Sequence, residues 1–338
     1  MLNTKKVKLG QFFTKATLWL KPQIIDFIKS TGCKIAYDPY AGGGDLLKAA
    51  SELLDFSTIK GLDIDSSLNW ELNDSLLSIP KIDNAIIITN PPYIAKQSAS
   101  RKKIDLSLYF SNTSYNDVYL ISLDKMLEAQ KYVVAIIPES FINSSYKQKD
   151  KLKSITILEE NPFEDTENPV CVACFDSVKK DLSKIFIYKN DKLINDYFSI
   201  QNLRIEPSND IKIIFNTLNG WLGLRAIDST DDKTFICFDY KENFDYDWER
   251  NIKVSSRHFS LIEINVSVNK RNEFIKKCND IIKEIRIKSS DVLLTPFKGN
   301  TKKGIRRRRL DFRLARAIME KAYRQTIGGN LYEQQSLF

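Results

Sequence analysis

The sequence predicts an α/β fold, a mostly parallel sheet with helices on both faces, followed by a smaller C-terminal α+β domain. Three observations carry this. Strand-like and helix-like stretches alternate through the first half, which implies crossover connections and a ligand at the carboxyl ends of the strands. Two turn motifs, one rich in glycine and one in proline, fall at such ends. The basic excess of the chain is gathered near its C-terminus, and 338 residues with 43% hydrophobic content support two cores.

Lys21 to Ser30 reads as a helix, and Ile35-Ala36-Tyr37 as a strand. That strand breaks into Asp38-Pro39-Tyr40-Ala41-Gly42-Gly43-Gly44-Asp45, where glycines let the backbone pass close to a ligand. Acids flank the glycines on both sides, so a pyrophosphate is repelled and a cationic ligand is favoured. Ile59 to Asp65 is a second strand whose terminal carboxylates suit the two hydroxyls of a ribose. Asn73-Asp74-Ser75-Leu76 then offers an acid able to accept from an adenine amino group. Solvated acids at strand ends are the plain alternative for each.

The apolar run Ala85 to Thr89 closes in Asn90-Pro91-Pro92-Tyr93. An amide oxygen and a backbone carbonyl at a strand end are two fixed acceptors, and Pro92 has no N–H to compete for them. Tyr93 adds a flat face beside them, suited to a purine lifted out of its stack. The four side chains fit one task, holding a planar, poorly nucleophilic nitrogen while a methyl group is delivered. A proline-rich turn after a core strand is the alternative.

From Ile94 to Thr113 the chain is polar and carries Arg101, Lys102 and Lys103, which reads as a mobile loop ordering over substrate, or as an inert surface loop. Asn116 to Gln130 reads as a helix with Val118, Ile121, Leu123 and Leu127 inward. Lys131 to Pro138 and Ser154 to Leu158 read as strands, and Val170 to Phe175 with Ile185 to Tyr188 as a hairpin. Cys171 and Cys174, three apart in a strand-like run, face opposite sides, so with His258 the only histidine no metal site is expected. Five cysteines, no basic-then-apolar leader and no bilayer-spanning apolar run suggest a cytoplasmic protein with no membrane contact.

Residues 196–327 are expected to form the second domain, with strands at Thr234 to Tyr240 and Phe259 to Val268. A helix over Asn269 to Ile287 has Phe274, Ile275, Cys278, Ile281 and Ile282 inward. Trp221, Phe244 and Trp248 are candidates for contact with bases, or are core. Lys298 to Arg324 holds eleven basic side chains against Asp311 and Glu320, a local excess of +9 that exceeds the +8 of the whole chain. This favours contact with a polyanion, through Lys302, Lys303, Arg306, Arg307, Arg308, Arg309 and Arg313. A solvated charged face and a nuclear-type address are the alternatives. A glycine-containing loop is expected to feed a helix from about Leu310, with Leu314, Ile318 and Ala322 inward.

The order of these motifs resembles the S-adenosylmethionine-dependent amino methyltransferases, and among them the DNA adenine-N6 methyltransferases of gamma class. The resemblance covers most of the first half and implies a Rossmann-like methyltransferase sheet over residues 1–195 and a DNA target-recognition domain over 196–327. It implies that Asn90 and Pro91 hold the target amino group of a flipped adenine, with Tyr93 stacking on it. Phe163, in Asn161-Pro162-Phe163, would cover the opposite face; a phenylalanine packed at a loop edge is the alternative. S-adenosyl-L-methionine is implied to meet Phe13, Thr14, Asp38, Pro39, Ala41, Gly42, Gly44, Asp63, Ile64, Asp74, Ser75 and Asn90. Leu9 to Thr14 is similar to the segment that embraces the methionine carboxylate, with Lys15 where proline is usual.

Cytosine N4 presents the same kind of amino group, although such enzymes more often resemble a Ser-Pro-Pro-Tyr pattern. Ribosomal RNA adenine methyltransferases, protein glutamine methyltransferases and a catalytically silent DNA-binding protein are the other readings. The partners implied are duplex DNA and a separately encoded restriction endonuclease. After Gly328-Gly329-Asn330, residues 328–338 read as a flexible tail, and Gln334, Ser336, Leu337 and Phe338 resemble a peptide that binds the bacterial sliding clamp. Folding back onto the core is the alternative for that tail.

Overall fold

A computed structural model describes residues 18–163, 167–231 and 233–327. The expected cofactor segment with Phe13 and Thr14, and the tail with Gln334, Ser336, Leu337 and Phe338, lie outside them. The chain divides into two compact units, Met1–Phe198 and Ser199–Phe338.

The first unit begins with helix α1 (Pro22–Thr31), strand β1 (Ile35–Asp38), α2 (Asp45–Leu53), β2 (Thr58–Asp63), β3 (Glu71–Leu72) and β4 (Ala85–Thr89). Two short helices follow, α3 (Lys96–Arg101) and α4 (Ser107–Phe110), then α5 (Val118–Ala129), β5 (Val133–Pro138), β6 (Leu152–Ile157), β7 (Val170–Phe175), β8 (Phe186–Lys189) and β9 (Lys192–Asp196), with the division between the units falling inside α6 (Tyr197–Asn202). The nine strands form one sheet in the order β3-β2-β1-β4-β5-β7-β6-β8-β9. Strands β1 to β5 are mutually parallel, and β7 runs antiparallel to both β5 and β6. This is a Rossmann-like, doubly wound sheet.

Burial explains the sequence pattern. All five residues of β4 and the first five of β5 are buried, as expected of central parallel strands covered on both faces. On one face Ile24, Phe27 and Ile28 of α1 and Leu46, Leu47 and Ala50 of α2 join Ala36, Ile86, Ile88, Val134 and Ile136 in the main core. On the other, Tyr119 of α5 meets Phe141, whose ring in turn meets Phe175 of β7.

Two expectations are corrected. Strands β7 and β8 do not pair. The wholly buried β7 takes partners on both edges, β5 and β6, while the half-exposed β8 lies farther out between β6 and β9. Residues 94–113 are not an irregular loop. Helices α3 and α4 fold over a small core of Ile94, Ala99, Phe110, Val118 and Ile121, extended by Leu76, Ile104, Leu106, Tyr109 and Tyr115. Their apolar residues are too unevenly spaced to register as a periodic stripe.

The second unit is built on a four-stranded antiparallel sheet, β10 (Ile213–Phe215), β11 (Leu222–Arg225), β12 (Cys237–Tyr240) and β13 (Phe259–Ile264), ordered β10-β13-β11-β12. A single turn, α7 (Trp248–Asn251), precedes β13, and α8 (Arg271–Ser289) follows it. Helix α8 buries Phe274, Ile275, Cys278, Ile281 and Ile282, and its Asn279 bonds both backbone groups of Phe238 in β12. Phe244 and Trp248 pack over side-chain-free Gly223, and Trp221 lies under the Arg271 guanidinium, so these aromatics are part of the packing. The basic stretch is an antiparallel pair, β14 (Thr295–Asn300) and β15 (Arg306–Arg309), leading into α9 (Phe312–Thr326), which buries Leu314, Ile318 and Ala322.

Candidate active site

Strand order reverses around β1, since the chain proceeds to β2 and β3 on one side and then to β4 and β5 on the other. Such a switch point opens a crevice at the carboxyl ends of β1 and β4. Asp38 ends β1, Thr89 ends β4, and the Thr89 hydroxyl donates to Asp38 Oδ1 at 2.5 Å. The glycine turn and the Asn90–Tyr93 turn are thereby tied together across the crevice.

In the glycine turn, Gly42 and Gly44 have φ of +53° and +82°, where any other residue is strained. Asp63, at the end of β2, is buried and accepts the Gly42 N–H at 2.8 Å and the Asp65 N–H at 2.9 Å, one on each oxygen. Each oxygen keeps a further lone pair. Pro39 and Ala41 are buried behind the turn, and Ile64 stands 56% exposed beyond Asp63 as an apolar ledge.

Sequence reasoning missed Trp70. Its indole N–H donates to the Gly42 carbonyl at 3.0 Å, and its ring fills the space where a Cβ on Gly44 or Gly61 would lie, 2.8 and 2.4 Å away. A glycine inside a strand, as Gly61 is, was the available signal of such a close approach.

Asp38 is 1% exposed, and burial pushes its carboxyl up to about 7, against the pull of hydrogen bonds from Thr89 and the Tyr40 N–H. Among the described residues, the groups acting on it are those two donors and the like charge of Asp63, none of them a cation. A buried carboxylate in that setting suits a positively charged ligand. Asp74 lies in the turn after β3; its Oδ1 accepts the Leu76 N–H at 3.1 Å and its Oδ2 the Tyr109 hydroxyl at 2.8 Å. Buried Ser75 accepts from Asn73 at its hydroxyl and from Tyr40 at its carbonyl.

After β4, Pro91 is buried while Asn90, Pro92 and Tyr93 are half-buried. The Tyr93 hydroxyl reaches both Asn90 Oδ1 and the carbonyl of Ile136 in β5. Phe163 belongs to the main core, and its ring centroid lies 6.5 Å from that of Tyr93 at an interplanar angle of 63°. This is edge-to-face contact between the two rings, which leaves no slot for a base between them as they stand. Asp117, at the start of α5, is a second residue the sequence reading passed over. Burial pushes its carboxyl up to about 6, and its charge acts on both Tyr93 and Tyr119.

Arg101, Lys102 and Lys103 are exposed at the end of α3. Within the second unit, the expected run of phosphate-binding arginines is corrected by strand geometry. Arg306 and Arg308 alternate inward on β15 and are 3% and 1% exposed, while Arg307 and Arg309 are half-buried. Asp228 organises this corner: it takes Arg286 in a two-pronged ion pair, accepts the Arg308 N–H at 3.1 Å, and gives its carbonyl to Arg307 Nε at 2.8 Å. Lys302 and Lys303 are exposed, and exposed Arg313 pairs with Glu206 at 2.7 Å.

Residues 13–166 match the family model of the Eco57I restriction-modification methylase. That stretch contains the glycine turn, the Asn90–Tyr93 turn and Phe163. No curated protein matches the chain significantly. Among solved structures, the type I restriction enzyme EcoKI M protein aligns over 97% of this chain and 72% of its own at 13% identity, with a TM-score of 0.40. The type I restriction-modification methyltransferase subunit of Streptococcus thermophilus aligns over 57% and 52% at 17% identity, TM-score 0.38. A class I S-adenosylmethionine-dependent methyltransferase candidate from Listeria monocytogenes aligns over 53% and 66% at 14% identity, TM-score 0.37. The chain thus spans between about half and two thirds of the length of the latter two.

Over the matched stretch the chain is similar to restriction-modification methylases, and S-adenosyl-L-methionine is the expected cofactor. The residues present fit it. Asp38 suits its cationic portion, the two oxygens of Asp63 suit ribose hydroxyls, and among the described residues nothing lies nearer than 4.0 Å to a Cβ built on Gly42.

Proposed function

We propose that the protein methylates adenine N6 in duplex DNA at a specific sequence, after flipping the base out of the helix. The observation that carries this reading is the position of Asn90-Pro91-Pro92-Tyr93 at the carboxyl end of β4, joined through Thr89 to the acid that ends β1. The Asn90 side-chain oxygen and the Pro91 carbonyl accept the two amino hydrogens, which directs the nitrogen lone pair out of the ring plane. S-adenosyl-L-methionine supplies the methyl group as a sulfonium. Asn90 stabilises the positive charge that develops on nitrogen in the transition state, and its contribution is largest there. Proton loss to water follows, so no strong base is required. Tyr93 stacks on the extruded ring, and Phe163 covers its opposite face once the two side chains have moved apart.

The exposed Lys302, Lys303 and Arg313, with Arg307 and Arg309, supply phosphate contacts that fix the register of the second unit on DNA without reading bases. A partner endonuclease and docking of the tail on a sliding clamp belong to the same reading. Deleting Gln334 to Phe338 should abolish binding to purified clamp and spare methylation of short duplexes; clamp binding by the truncated protein contradicts the tail assignment. Competition for labelled methyl groups between duplex DNA, structured RNA and protein tests the substrate class. Incorporation into DNA is expected, and preferential labelling of RNA or protein overturns the assignment.

A further inference from the structure

The segment after the Asn90–Tyr93 turn reaches the carboxylate of Asp74. Its small core holds the ring of Tyr109, whose hydroxyl is 2.8 Å from Asp74 Oδ2. Asp74 is also bound into the cofactor side of the crevice. The Asn73 N–H donates to the Asp63 carbonyl at 2.9 Å, and the Tyr40 hydroxyl, next to the glycine turn, donates to the Ser75 carbonyl at 2.9 Å. One carboxylate therefore stands where two separately built parts of the first unit meet.

A carboxylate oxygen accepts two hydrogen bonds, so Oδ2 keeps a lone pair when Tyr109 uses the other. Its companion oxygen is directed by the Leu76 N–H. With both oxygens engaged, the carboxylate is held in one orientation before any ligand arrives, which removes an ordering cost from binding. Burial and the neighbouring Asp74 charge push the Tyr109 hydroxyl up to about 12, so it remains a donor at every physiological pH.

We propose that Tyr109 is a positioning residue for the cofactor adenine, holding Asp74 so that its remaining lone pair accepts from the 6-amino group. This rests on the reading that Asp74 meets that amino group.

The test is a calorimetric titration of the full chain with S-adenosylhomocysteine and with its 6-deamino counterpart, which carries hydrogen in place of the amino group. Tyr109→Phe keeps the ring in the small core; Tyr109→Met is a second hydroxyl-free variant should the first prove unstable. Both are expected to weaken S-adenosylhomocysteine roughly fivefold or more and to leave the deamino ligand unchanged. Asp74→Ala is expected to weaken the first ligand selectively as well. If Asp74→Ala changes neither ligand, the underlying reading of Asp74 is wrong. If Asp74→Ala discriminates and the Tyr109 variants do not, or if they weaken both ligands equally, Asp74 keeps its role and the proposal for Tyr109 is overturned.

Discussion

The hydroxyl of Tyr93 donates to the side-chain oxygen of Asn90, the atom to which the target amino group is assigned, and lies 2.6 Å from the Ile136 carbonyl. One proton cannot satisfy both acceptors fully. On the proposed reading, a base entering the site takes the Asn90 oxygen while the tyrosine hydroxyl turns wholly to Ile136. Tyr93→Phe keeps the stacking face and frees Asn90, so its single-turnover rate is expected within about threefold of wild type. Tyr93→Ala is expected to lose stacking worth about 1–3 kcal/mol. That loss should shrink on duplexes with a mispaired target, where flipping is easier. An equal defect on paired and mispaired targets would remove the stacking role.

Asn90→Ala removes an acceptor used mainly in the transition state. Its turnover should fall by roughly 10²–10³-fold, the range for loss of one preorganised charge-stabilising group, while cofactor affinity changes by less than about threefold. Rapid-quench rates beside a cofactor titration separate the two. Wild-type turnover in this variant would be incompatible with the site described above.

Asp38 gives a pH prediction. Its folded-state value of about 7 lies above the ordinary 3.8, so the folded protein holds this proton more tightly than the unfolded chain. The associated stability is present below pH 3.8 and is lost as pH rises through about 7. A cationic ligand favours the ionised form and expels the proton. Cofactor affinity should therefore weaken as pH falls below 7, by up to roughly tenfold per unit. Calorimetry near pH 6.5 in two buffers of different ionisation enthalpy should register proton release, and Asp38→Asn should flatten the pH dependence. A pH-independent affinity in wild type would show that Asp38 does not meet the charge.

The arginine strand separates structure from binding. Replacing Lys302, Lys303 and Arg313 together with alanine should weaken DNA binding and flatten its salt dependence by roughly 0.9 for each phosphate no longer neutralised, with little change in melting temperature. Arg308→Ala, at a wholly buried position, should instead lower thermal stability by about 2 kcal/mol or more. Salt titrations and thermal melts on the two variants would reverse this assignment if the effects were exchanged.

Much of the sheet was legible because its chemistry is local. β4 and β5 are unbroken apolar runs, and Asp38, Gly42, Gly44, Asp63, Asp74 and Asn90 sit at strand ends or in the turns that follow, where a sequence pattern can locate them. Contacts set by distant partners were not. The role of Trp70 depends on Gly44 and Gly61, the bond from Thr89 to Asp38 spans 51 residues, and the Tyr109 bond to Asp74 spans 35. The arginine run misled for a related reason: charge suggests solvent, whereas two-residue strand periodicity turns Arg306 and Arg308 inward beside Asp228.

The most direct test of the account is nucleoside mass spectrometry on duplex DNA of mixed sequence after incubation with the purified full chain and S-adenosyl-L-methionine, with the Asn90→Ala variant in parallel. N6-methyldeoxyadenosine confined to one sequence context is predicted with wild-type protein, and its loss in the variant. N4-methyldeoxycytidine as the product, equal modification by Asn90→Ala, or cofactor binding without any methylated nucleoside would contradict it.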